Sequence, residues 1–407
     1  MPLPRHPVMP SRRHAVIRYN KIRSIMKTFR LIFLLILATS CAGGNRQNPV
    51  PVIDLQNPDE TRDIYLSELL DDIRIVKLET GNEILLGQYT NYLVGEKYII
   101  TIDNDKILQF SDDGGFLRML AKAGNGPEEF LRAEAFVLDD KKDILYLNHR
   151  GDSRNISVYD LKSGERIKRI PTGVDNLITQ IIVSGDSVLT VVPRMNSQYN
   201  LYSLTTSGKF VSGIAPPVVK GIGLQTSIDM VMNELYYMPK EYDTLYKAGE
   251  TGLKPYCFFH IDDRFTYENN EVGNFVYLSA NAPGFIIANK AHAIIKLNDD
   301  GETFSMNGDK QTRYFIDKKD FKVSEITDFQ NVFLGIDENI DQWDNYLYIT
   351  NKLGYVVYSS FELKQKIEKA LESDKLDIQT KQRISALNQE IKENDNPVLV
   401  IGTLKTE

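Results

Sequence analysis

Apolar and polar positions alternate along most of the chain in a repeating pattern, and residues 98–130 show it most completely. This stretch holds an apolar run, a short polar break, a second run, a glycine turn, a third run and a loop around Gly-Pro-Glu. Short runs rich in β-branched and aromatic side chains are typical of strands. Six copies of the paired runs are present: YIITI with KILQF, ILYLN with NISVY, VLTVV with NLYSL, ELYYM with DTLYK, FIIAN with AIIKL, and YLYIT with YVVYS.

The spacing of the copies predicts the architecture. Glycine turns follow the second runs at intervals of 50, 44, 41 and 52 residues, at Gly114, Gly164, Gly208, Gly249 and Gly301. A four-stranded propeller blade requires about 40–50 residues, and turns such as Asp-Gly indicate antiparallel hairpins. The pattern therefore predicts an all-β fold over residues 63–405, a six-bladed β-propeller with four-stranded antiparallel blades. The paired runs are then second and third strands, and Ala135–Leu138 and Val332–Gly335 are inner strands.

The two ends of this region are predicted to meet. Closure of a propeller ring removes free sheet edges, and it is usually achieved by combining strands from both chain ends in one blade. The candidates are Ile73–Leu78, which alternates apolar and polar side chains, and Val398–Leu404.

Residues 361–395 interrupt the strand pattern and are predicted to be a helical insertion before the closing strand. Apolar side chains recur there at helical spacing, at Ile384, Leu387 and Ile391. Ser373-Asp374 favours a division into two helices, because both residue types are good N-caps. The insertion either packs on the last blade, which we favour, or binds a partner.

The N-terminus has the layout of an export signal. Met26–Arg30 is basic, Leu31–Leu37 is apolar, and Ala38–Ser40 supplies small residues before Cys41. The apolar run is too short to span a bilayer, and the charged–apolar–small order is that of a secretory signal. A cysteine at this place resembles a bacterial lipobox, which implies lipidation at Cys41 and attachment to the outer membrane. An ordinary cleaved signal or an uncleaved anchor is the alternative.

These features divide the N-terminal region into three parts. Residues 1–25 are interpreted as a non-native upstream extension, residues 26–41 as a lipoprotein signal peptide, and residues 42–62, which are polar with scattered prolines, as a tether. Residues 42–48 lack the acidic cluster that is typical of surface-exported lipoproteins in Bacteroides-like bacteria. By that resemblance, the domain is expected to face the periplasm.

Composition restricts the function classes. Apolar residues make up 42% and charged residues 25% of the chain, as in an ordinary globular protein. The formal net charge of −7 argues against nucleic acid as a partner, because phosphates require a basic surface. Two cysteines cannot form a disulfide framework, and Cys257, which lies in an aromatic run, is interpreted as a core residue.

Four features together resemble one family: Cys41 after its apolar run, the six strand pairs, the segment AKAGNGPEEF at Ala121–Phe130, and NPVLVIGTLK at Asn396–Lys405. The family is that of the six-bladed β-propeller lipoproteins of Bacteroides-like bacteria, which are related to NHL-repeat propellers. The resemblance covers roughly Asp72–Lys405, and Gly124–Phe130 is its most specific element. It implies a propeller on a lipid anchor and no particular biochemical activity. The third copy departs from the pattern, because it lacks a Gly-Pro loop.

A ring of cations is the main candidate site. The polar breaks are expected to share one propeller face with the inter-blade loop Gly124–Phe130, and every break carries a cation. Such a ring favours anionic ligands, such as acidic sugars or carboxylated peptides; alternatively, the breaks carry cations only because they are solvated. A glutamate in the loop either binds the ligand or closes the tight turn. The candidate ligand-binding residues are Arg150, Arg154, Arg194, Lys240, Lys290, His292, Lys352 and Glu128.

Neither a catalytic residue nor a cofactor is assigned from the sequence. The three histidines that follow the signal form no His-x-x-x-His pair, so no metal ligand set is predicted. An axial calcium stays open, with Asp139, Asp140, Asp337 and Asn339 as its candidate ligands. Asp299–Phe304 resembles the Asp-box hairpin of sialidase propellers and is interpreted as a hairpin turn.

The sequence therefore predicts a lipid-anchored envelope protein that binds a glycan, peptide or envelope protein partner without catalysis. The alternative is an enzyme that acts in the axial pocket. It would be a glycan hydrolase or lyase, or a metal-dependent lactonase-like hydrolase with paired carboxylates or metal ligands in one pocket.

Overall fold

The fold consists of strands arranged in six sheets, as a computed structural model shows. The structure describes residues 49–406, except for 175–176, 194–197, 215–226, 232–233, 239–242, 250–251, 265–271, 298–303, 308–310, 332–333, 335, 339–346, 351, 373 and 375. The first elements of the chain are β1 (Val52–Asp54), β2 (Glu60–Tyr65), α1 (Leu66–Leu69) and β3 (Leu70–Lys77).

Blades 1, 2 and 3 are four-stranded antiparallel sheets whose strands follow one another in chain order. Blade 1 contains β4 (Asn91–Val94), β5 (Tyr98–Ile102), β6 (Lys106–Ser111) and β7 (Phe116–Lys122). Blade 2 contains β8 (Ala133–Asp139), β9 (Ile144–His149), β10 (Asn155–Asp160) and β11 (Arg166–Pro171). Blade 3 contains β12 (Ile178–Gly185), β13 (Val188–Pro193), β14 (Leu201–Thr205) and β15 (Phe210–Ile214).

Blades 4 and 5 each gain a parallel strand from the N-terminal segment, because β1 pairs with β19 and β2 pairs with β24. Blade 4 contains β16 (Ser227–Val231), β17 (Glu234–Met238), β18 (Thr244–Gly249) and β19 (Gly252–His260). Blade 5 contains β20 (Val272–Asn281), β21 (Phe285–Leu297), β22 (Phe304–Asn307), β23 (Gln311–Asp317), β24 (Val323–Asn331) and β25 (Ile336–Glu338).

Blade 6 closes the ring with strands from both chain ends, as predicted. It contains β26 (Tyr348–Ile349), β27 (Leu353–Tyr358), β28 (Val398–Leu404) and the N-terminal β3. Strands β28 and β3 are antiparallel, with Val400 opposite Ile75. Two helices, α2 (Ser360–Leu371) and α3 (Ile378–Glu390), interrupt the blade between its second and third strands.

The core lies between the faces of neighbouring blades. Along β5, Ile99 packs into the cluster shared by blades 6 and 1, whereas Ile100 packs into the cluster shared by blades 1 and 2. Successive strand side chains point to opposite faces, so a blade with neighbours on both sides needs apolar residues at successive positions. This explains why the middle strands read as continuous apolar runs. The turns predicted at Gly114, Gly164 and Gly208 are confirmed, each with a positive φ.

The inserted helices pack on blades 5 and 6. Leu363 and Ile384 are fully buried in the same cluster as Tyr358 and Val400. The predicted division into two helices near Ser373-Asp374 is confirmed, but the N-cap of the second helix is Asp377 rather than either of these residues. The Asp377 carboxylate accepts hydrogen bonds from the backbone N–H and the hydroxyl of Thr380, at 2.9 and 2.6 Å, and such a paired cap fixes the helix start.

No helix in the described part of the chain has the length and apolar content to cross a membrane.

The predicted tether over residues 42–62 is wrong in its second half. Residues 52–54 and 60–65 are strands on the outer edges of blades 4 and 5, with Val52 opposite Phe258 and Thr61 opposite Glu325. An exposed sheet edge offers unpaired N–H and C=O groups, and this polar segment satisfies them. The propeller therefore begins at β1 rather than at residue 63.

Two of the predicted strand pairs are also wrong. FIIAN and AIIKL form one continuous strand, β21, and the third strand of blade 5 is β23. YLYIT and YVVYS correspond to the first and second strands of blade 6, because β28 and β3 supply the third and fourth. The inner strand predicted at Ala135–Leu138 is confirmed as part of β8, and most of Val332–Gly335 lies outside the described residues.

Candidate ligand-binding face

The connections between second and third strands share one face with the loops that join successive blades. The Ala123 N–H donates to the Asp105 carbonyl at 2.7 Å, and the Thr172 N–H donates to the Arg154 carbonyl at 2.8 Å. The Arg150 N–H likewise donates to the carbonyl of Leu131, in the inter-blade loop, at 2.9 Å. We call this side the loop face; the opposite side, which carries the turns between first and second strands, is the turn face.

The predicted cations that the structure describes on the loop face have partners within the chain. Arg150 forms an ion pair with Glu134, and Lys290 forms one with Asp262 at 2.9 Å. His292 Nδ1 lies 3.0 Å from Asn274 Oδ1. Lys290 and His292 sit within β21 rather than in a break, and their polar partners explain why a strand tolerates them. Arg154 is exposed beside Thr172, and Arg194 and Lys240 lie outside the described residues.

Lys352 does not belong to this ring. It lies between β26 and β27, the first and second strands of blade 6, and pairs with Glu96 in the corresponding turn of blade 1. Both turns are on the turn face, so the prediction that Lys352 lines the loop face is wrong. The error follows from the wrong strand assignment in the sixth copy.

A chain of charged contacts instead ties together the turn-face ends of four blades. From blade 6, Lys352 reaches Glu96, whose N–H donates to Asp140 of blade 2 at 2.8 Å. Lys97 of blade 1 pairs with the buried Asp143 at 2.7 Å, and Lys142 of blade 2 donates to the Asp186 carbonyl of blade 3. These contacts link the four blades to one another on the turn face.

The loop Gly124–Phe130 is held from both ends. The Gly124 N–H donates to the Phe130 carbonyl at 3.0 Å, and the Phe130 side chain is fully buried. Inside the turn, Glu129 Oε2 accepts a hydrogen bond from the Gly126 N–H at 2.7 Å, so Glu129 is the glutamate that closes the loop. Glu128 has a different partner, Arg166, whose Nη2 lies 2.7 Å from Glu128 Oε1.

Two arginines of blade 2 clamp this loop. Nη2 of Arg166 and Nη2 of Arg169 both donate to the Pro127 carbonyl, at 2.5 and 2.9 Å. Residues three positions apart in a regular strand would point to opposite faces. Here the register shifts between Val158 and Tyr159, and this bulge places both arginines on the face of blade 2 that packs against blade 1. Their role could not be predicted from the sequence, because a bulge leaves no recognisable residue pattern.

Polar side chains are buried beneath the clamped loop. The His149 ring lies edge-on to Phe130, with 6.5 Å between ring centroids, and its Nδ1 accepts a hydrogen bond from the Leu131 N–H at 3.3 Å. Burial lowers the pKa of His149, and the positive charges of Arg166 and Arg169 act in the same direction. Because Nδ1 accepts this hydrogen bond, the neutral ring carries its proton on Nε2. Burial also raises the pKa of Tyr159, which stands opposite Arg166 in the sheet.

Two of the four residues proposed for an axial calcium have partners within the chain. Asp139 pairs with Lys142 at 3.2 Å, Asp140 accepts from the Glu96 N–H, and Asp337 lies in β25. Asn339 is not described. Within the described ranges, His, Cys, Asp and Glu form no group of three or more that could hold a metal ion.

Two cavities lie near outer strands, apart from the predicted residues. One of about 230 Å³ lies between the end of β3 and the inserted helices, and is lined by Thr80, Glu390 and Asn396. The other, of about 320 Å³, is lined by Asp54, Asp59 and Lys322 beside blade 5.

The fold and its closure define the class: this is a six-bladed β-propeller whose last blade combines strands from both ends of the chain. The chain belongs to the family described as "Domain of unknown function (DUF4934)", whose model matches residues 50–403. The matched range includes β1 and β2, in agreement with their place in the fold.

Two solved structures that resemble the chain come from Bacteroides species. A candidate exported protein of Bacteroides fragilis NCTC 9343 is 12% identical, with a TM-score of 0.62, and the match covers 87% of this chain and 100% of that one. A member of the DUF4221 family from Bacteroides vulgatus ATCC 8482 is 10% identical, with a TM-score of 0.42 and coverage of 83% and 98%. At such identities the likeness concerns the fold alone. No curated protein matches the chain.

Proposed function

We propose that the protein is a lipid-anchored component of the cell envelope that binds an anionic ligand or partner on its loop face without catalysing a reaction. The signal-like segment before Cys41 supports anchoring in the outer membrane, with the propeller in the periplasm. The exported character in the name of the Bacteroides fragilis protein agrees with this location. In this proposal the family is a lipoprotein branch related to NHL-repeat propellers.

The arrangement around Glu134 is the observation that carries the binding proposal. Glu134 Oε1 forms ion pairs with both Arg150 and Arg132, the latter at 3.6 Å. The Arg150 side chain is 46% exposed and the Arg132 side chain is 65% exposed. One carboxylate cannot satisfy two guanidinium groups with five N–H donors each, so donors remain for a carboxylate or sulfate from solution. Arg132 also has a φ of +31°, and strained backbone is concentrated at functional sites.

Binding to an acidic polysaccharide tests this proposal. The membrane-extracted protein is expected to bind immobilised polygalacturonate, and to bind it more weakly as salt is raised because exposed charges are screened. The double substitution Arg132→Gln/Arg150→Gln should weaken binding about tenfold or more, since two charge-assisted contacts are lost. Lys352→Gln, which removes a cation from the turn face, is the matched control and should have no effect. Equal binding by the wild type, the double variant and Lys352→Gln would refute the proposal.

The anchor has its own test. Cys41→Ser should abolish incorporation of radiolabelled palmitate and move the protein from the membrane fraction to the soluble periplasmic fraction. Unchanged labelling would exclude Cys41 as the acceptor and remove the lipoprotein part of the proposal, leaving the binding part intact.

A further inference from the structure

Arg166 is unusual among the charged residues of the loop face because it is buried. Its side chain is only 8% exposed, whereas the carboxylate that neutralises it, Glu128, is 74% exposed. A buried guanidinium requires a negative partner, because desolvation of an unpaired charge is unfavourable by several kcal/mol. The only carboxylate paired with it in the described part of the chain therefore stands at the surface, on a loop.

Further donors lie beside Arg166 and have no acceptor. Nη1 of Arg166, the Tyr159 hydroxyl and Nε2 of His149 are all buried, and none forms a hydrogen bond within the described residues. The Tyr159 and His149 residues are 2% and 4% exposed. Arg166 and Tyr159 are neighbours across β10 and β11, and the guanidinium lies close enough to the Tyr159 hydroxyl to act on its pKa, but the hydroxyl and Nη1 form no hydrogen bond of normal geometry. A buried donor without an acceptor destabilises a protein, so three such groups together indicate a missing acceptor.

The geometry points to a binding site for the carboxylate of an anionic ligand at Arg166, beneath the Gly124–Phe130 loop; we call this site the carboxylate seat. The Glu128 carboxylate occupies the site until the ligand displaces it. Arginine presents two parallel N–H donors to a carboxylate, and Arg166 uses only Nη2 for Glu128. A carboxylate that enters more deeply can reach Nη1 and the Tyr159 hydroxyl, which Glu128 does not.

The loop can keep its attachment when Glu128 leaves. Arg169 donates to the Pro127 carbonyl independently of Glu128, and Glu129 closes the turn through the Gly126 N–H. Displacement of Glu128 therefore requires movement of one exposed side chain rather than refolding of the loop. This seat deepens the proposed function by naming a ligand group, but it is separate from the Arg132–Arg150 pair, so either can fail without the other.

Matched pairs of small molecules test the seat in the full chain by isothermal titration calorimetry. The probes are glucuronate against glucose, and N-acetylglycine against N-acetylglycinamide, so that each carboxylate has a neutral twin. Glu128→Gln removes the internal competitor and should tighten binding of a carboxylate probe about fivefold or more, because the fraction of molecules in which Arg166 is free to bind the probe rises. The probe that responds shows whether the carboxylate comes from an acidic sugar or a peptide.

Glu165→Gln is the control, since Glu165 is exposed next to Arg166 in the chain and carries the same charge. Glu165→Gln should leave the affinity for the carboxylate probe unchanged. Adding Arg166→Lys to the Glu128→Gln variant should weaken its binding of the probe tenfold or more. A melting curve of this double variant reports whether it folds. Equal affinities for Glu128→Gln and Glu165→Gln, equal binding of the neutral twins, or no carboxylate binding at all would each overturn the seat. Polygalacturonate binding that depends on Arg132 and Arg150 would stand in all three cases.

Discussion

Asn396 should be among the most sensitive positions for stability, because it connects the two chain ends where the ring closes. The residue is 1% exposed. Its Oδ1 accepts a hydrogen bond from the Leu86 N–H at 2.8 Å, and its Nδ2 donates to the carbonyls of Glu79 and Ile84, at 2.7 and 2.9 Å. The segment that follows β3 is thereby fixed to the residue that precedes β28.

The expected loss can be derived from these three bonds. Asn396→Ala removes all of them and leaves two carbonyls and one N–H without partners. The bond to Ile84 is fully buried, whereas those to Leu86 and Glu79 are partly buried, so water can replace some of the lost partners. With about 1–3 kcal/mol for a buried unsatisfied group and about 0.5–1.5 kcal/mol for an ordinary hydrogen bond, the free energy of unfolding should fall by about 3–5 kcal/mol. This is a large share of a typical domain's stability.

Equilibrium unfolding in urea, followed by far-UV circular dichroism, measures the loss. Asn57→Ala is the control, because Asn57 donates a single exposed hydrogen bond to Asp54 and its loss should change the free energy of unfolding by less than about 0.5 kcal/mol. Asn396→Asp keeps the acceptor but directs a carboxylate at two carbonyls, so it should be destabilised at neutral pH and recover as the pH falls. An Asn396→Ala variant within about 1 kcal/mol of the wild type would refute the reasoning.

Three further predictions concern the blades. Gly114→Ala places a methyl carbon 2.1 Å from the Lys77 carbonyl oxygen at a φ of +94°, whereas Gly173→Ala meets nothing within 4 Å at a φ of +73°. In thermal unfolding, the first variant should lose about 3 kcal/mol or more of stability and the second about 1 kcal/mol. Equal losses would contradict the close approach at Gly114. Burial raises the pKa of Asp143, but its hydrogen bonds with two lysines outweigh burial and the pKa falls below its ordinary value. Its contribution to stability is therefore present above the unfolded-state pKa and is lost as the pH falls through the folded-state pKa, so urea titrations below about pH 4 should show a shallower decline for Asp143→Asn than for the wild type. Burial also raises the pKa of the Cys257 thiol to about 12, so a thiol reagent should label it only after unfolding; rapid labelling of the native protein would show that blade 4 opens locally.

The sequence predicted the elements whose periodicity is local. In blades 1–4 the second and third strands are contiguous apolar runs that face a neighbouring blade on each side, and glycine turns such as Gly114 separate them from the outer strands. Closure by β28 and β3 was also predictable, because Ile73–Leu78 and Val398–Leu404 carry strand patterns outside the six copies. Each strand was recognised from residues that are close together in the chain, and the pairing of the two end strands followed from the general way in which propellers close.

The elements that the sequence did not predict depend on distant partners. β2 reads ETRDIY and buries only Ile64, because an outer edge strand needs a partner's backbone rather than an apolar face. In β21, Lys290 and His292 look like a polar break, but Asp262 and Asn274 support them within a continuous strand. Alternation cannot reveal a strand whose polar residues are paired from other segments.

The candidate site shows the same division between local and long-range information. The Gly-Pro-Glu-Glu segment was recognisable as the most specific motif, yet its two adjacent glutamates perform different tasks. Glu129 turns inward to the Gly126 N–H, and a side chain at Gly124 would come within 1.9 Å of its carboxylate, which accounts for that glycine. Glu128 turns outward to Arg166, on an outer strand nearly forty residues away along the chain.

The different roles of Glu128 and Glu129 depend on the bulge in β11. It brings Arg166 and Arg169 to the same face, so that one arginine can fix the backbone of the loop while the other is neutralised by a displaceable side chain. A loop that served structure alone would need the first contact but not the second. The burial of Arg166 opposite an exposed carboxylate is therefore the feature that favours a binding role for this loop over a purely structural one, and the comparison of Glu128→Gln with Glu165→Gln separates the two.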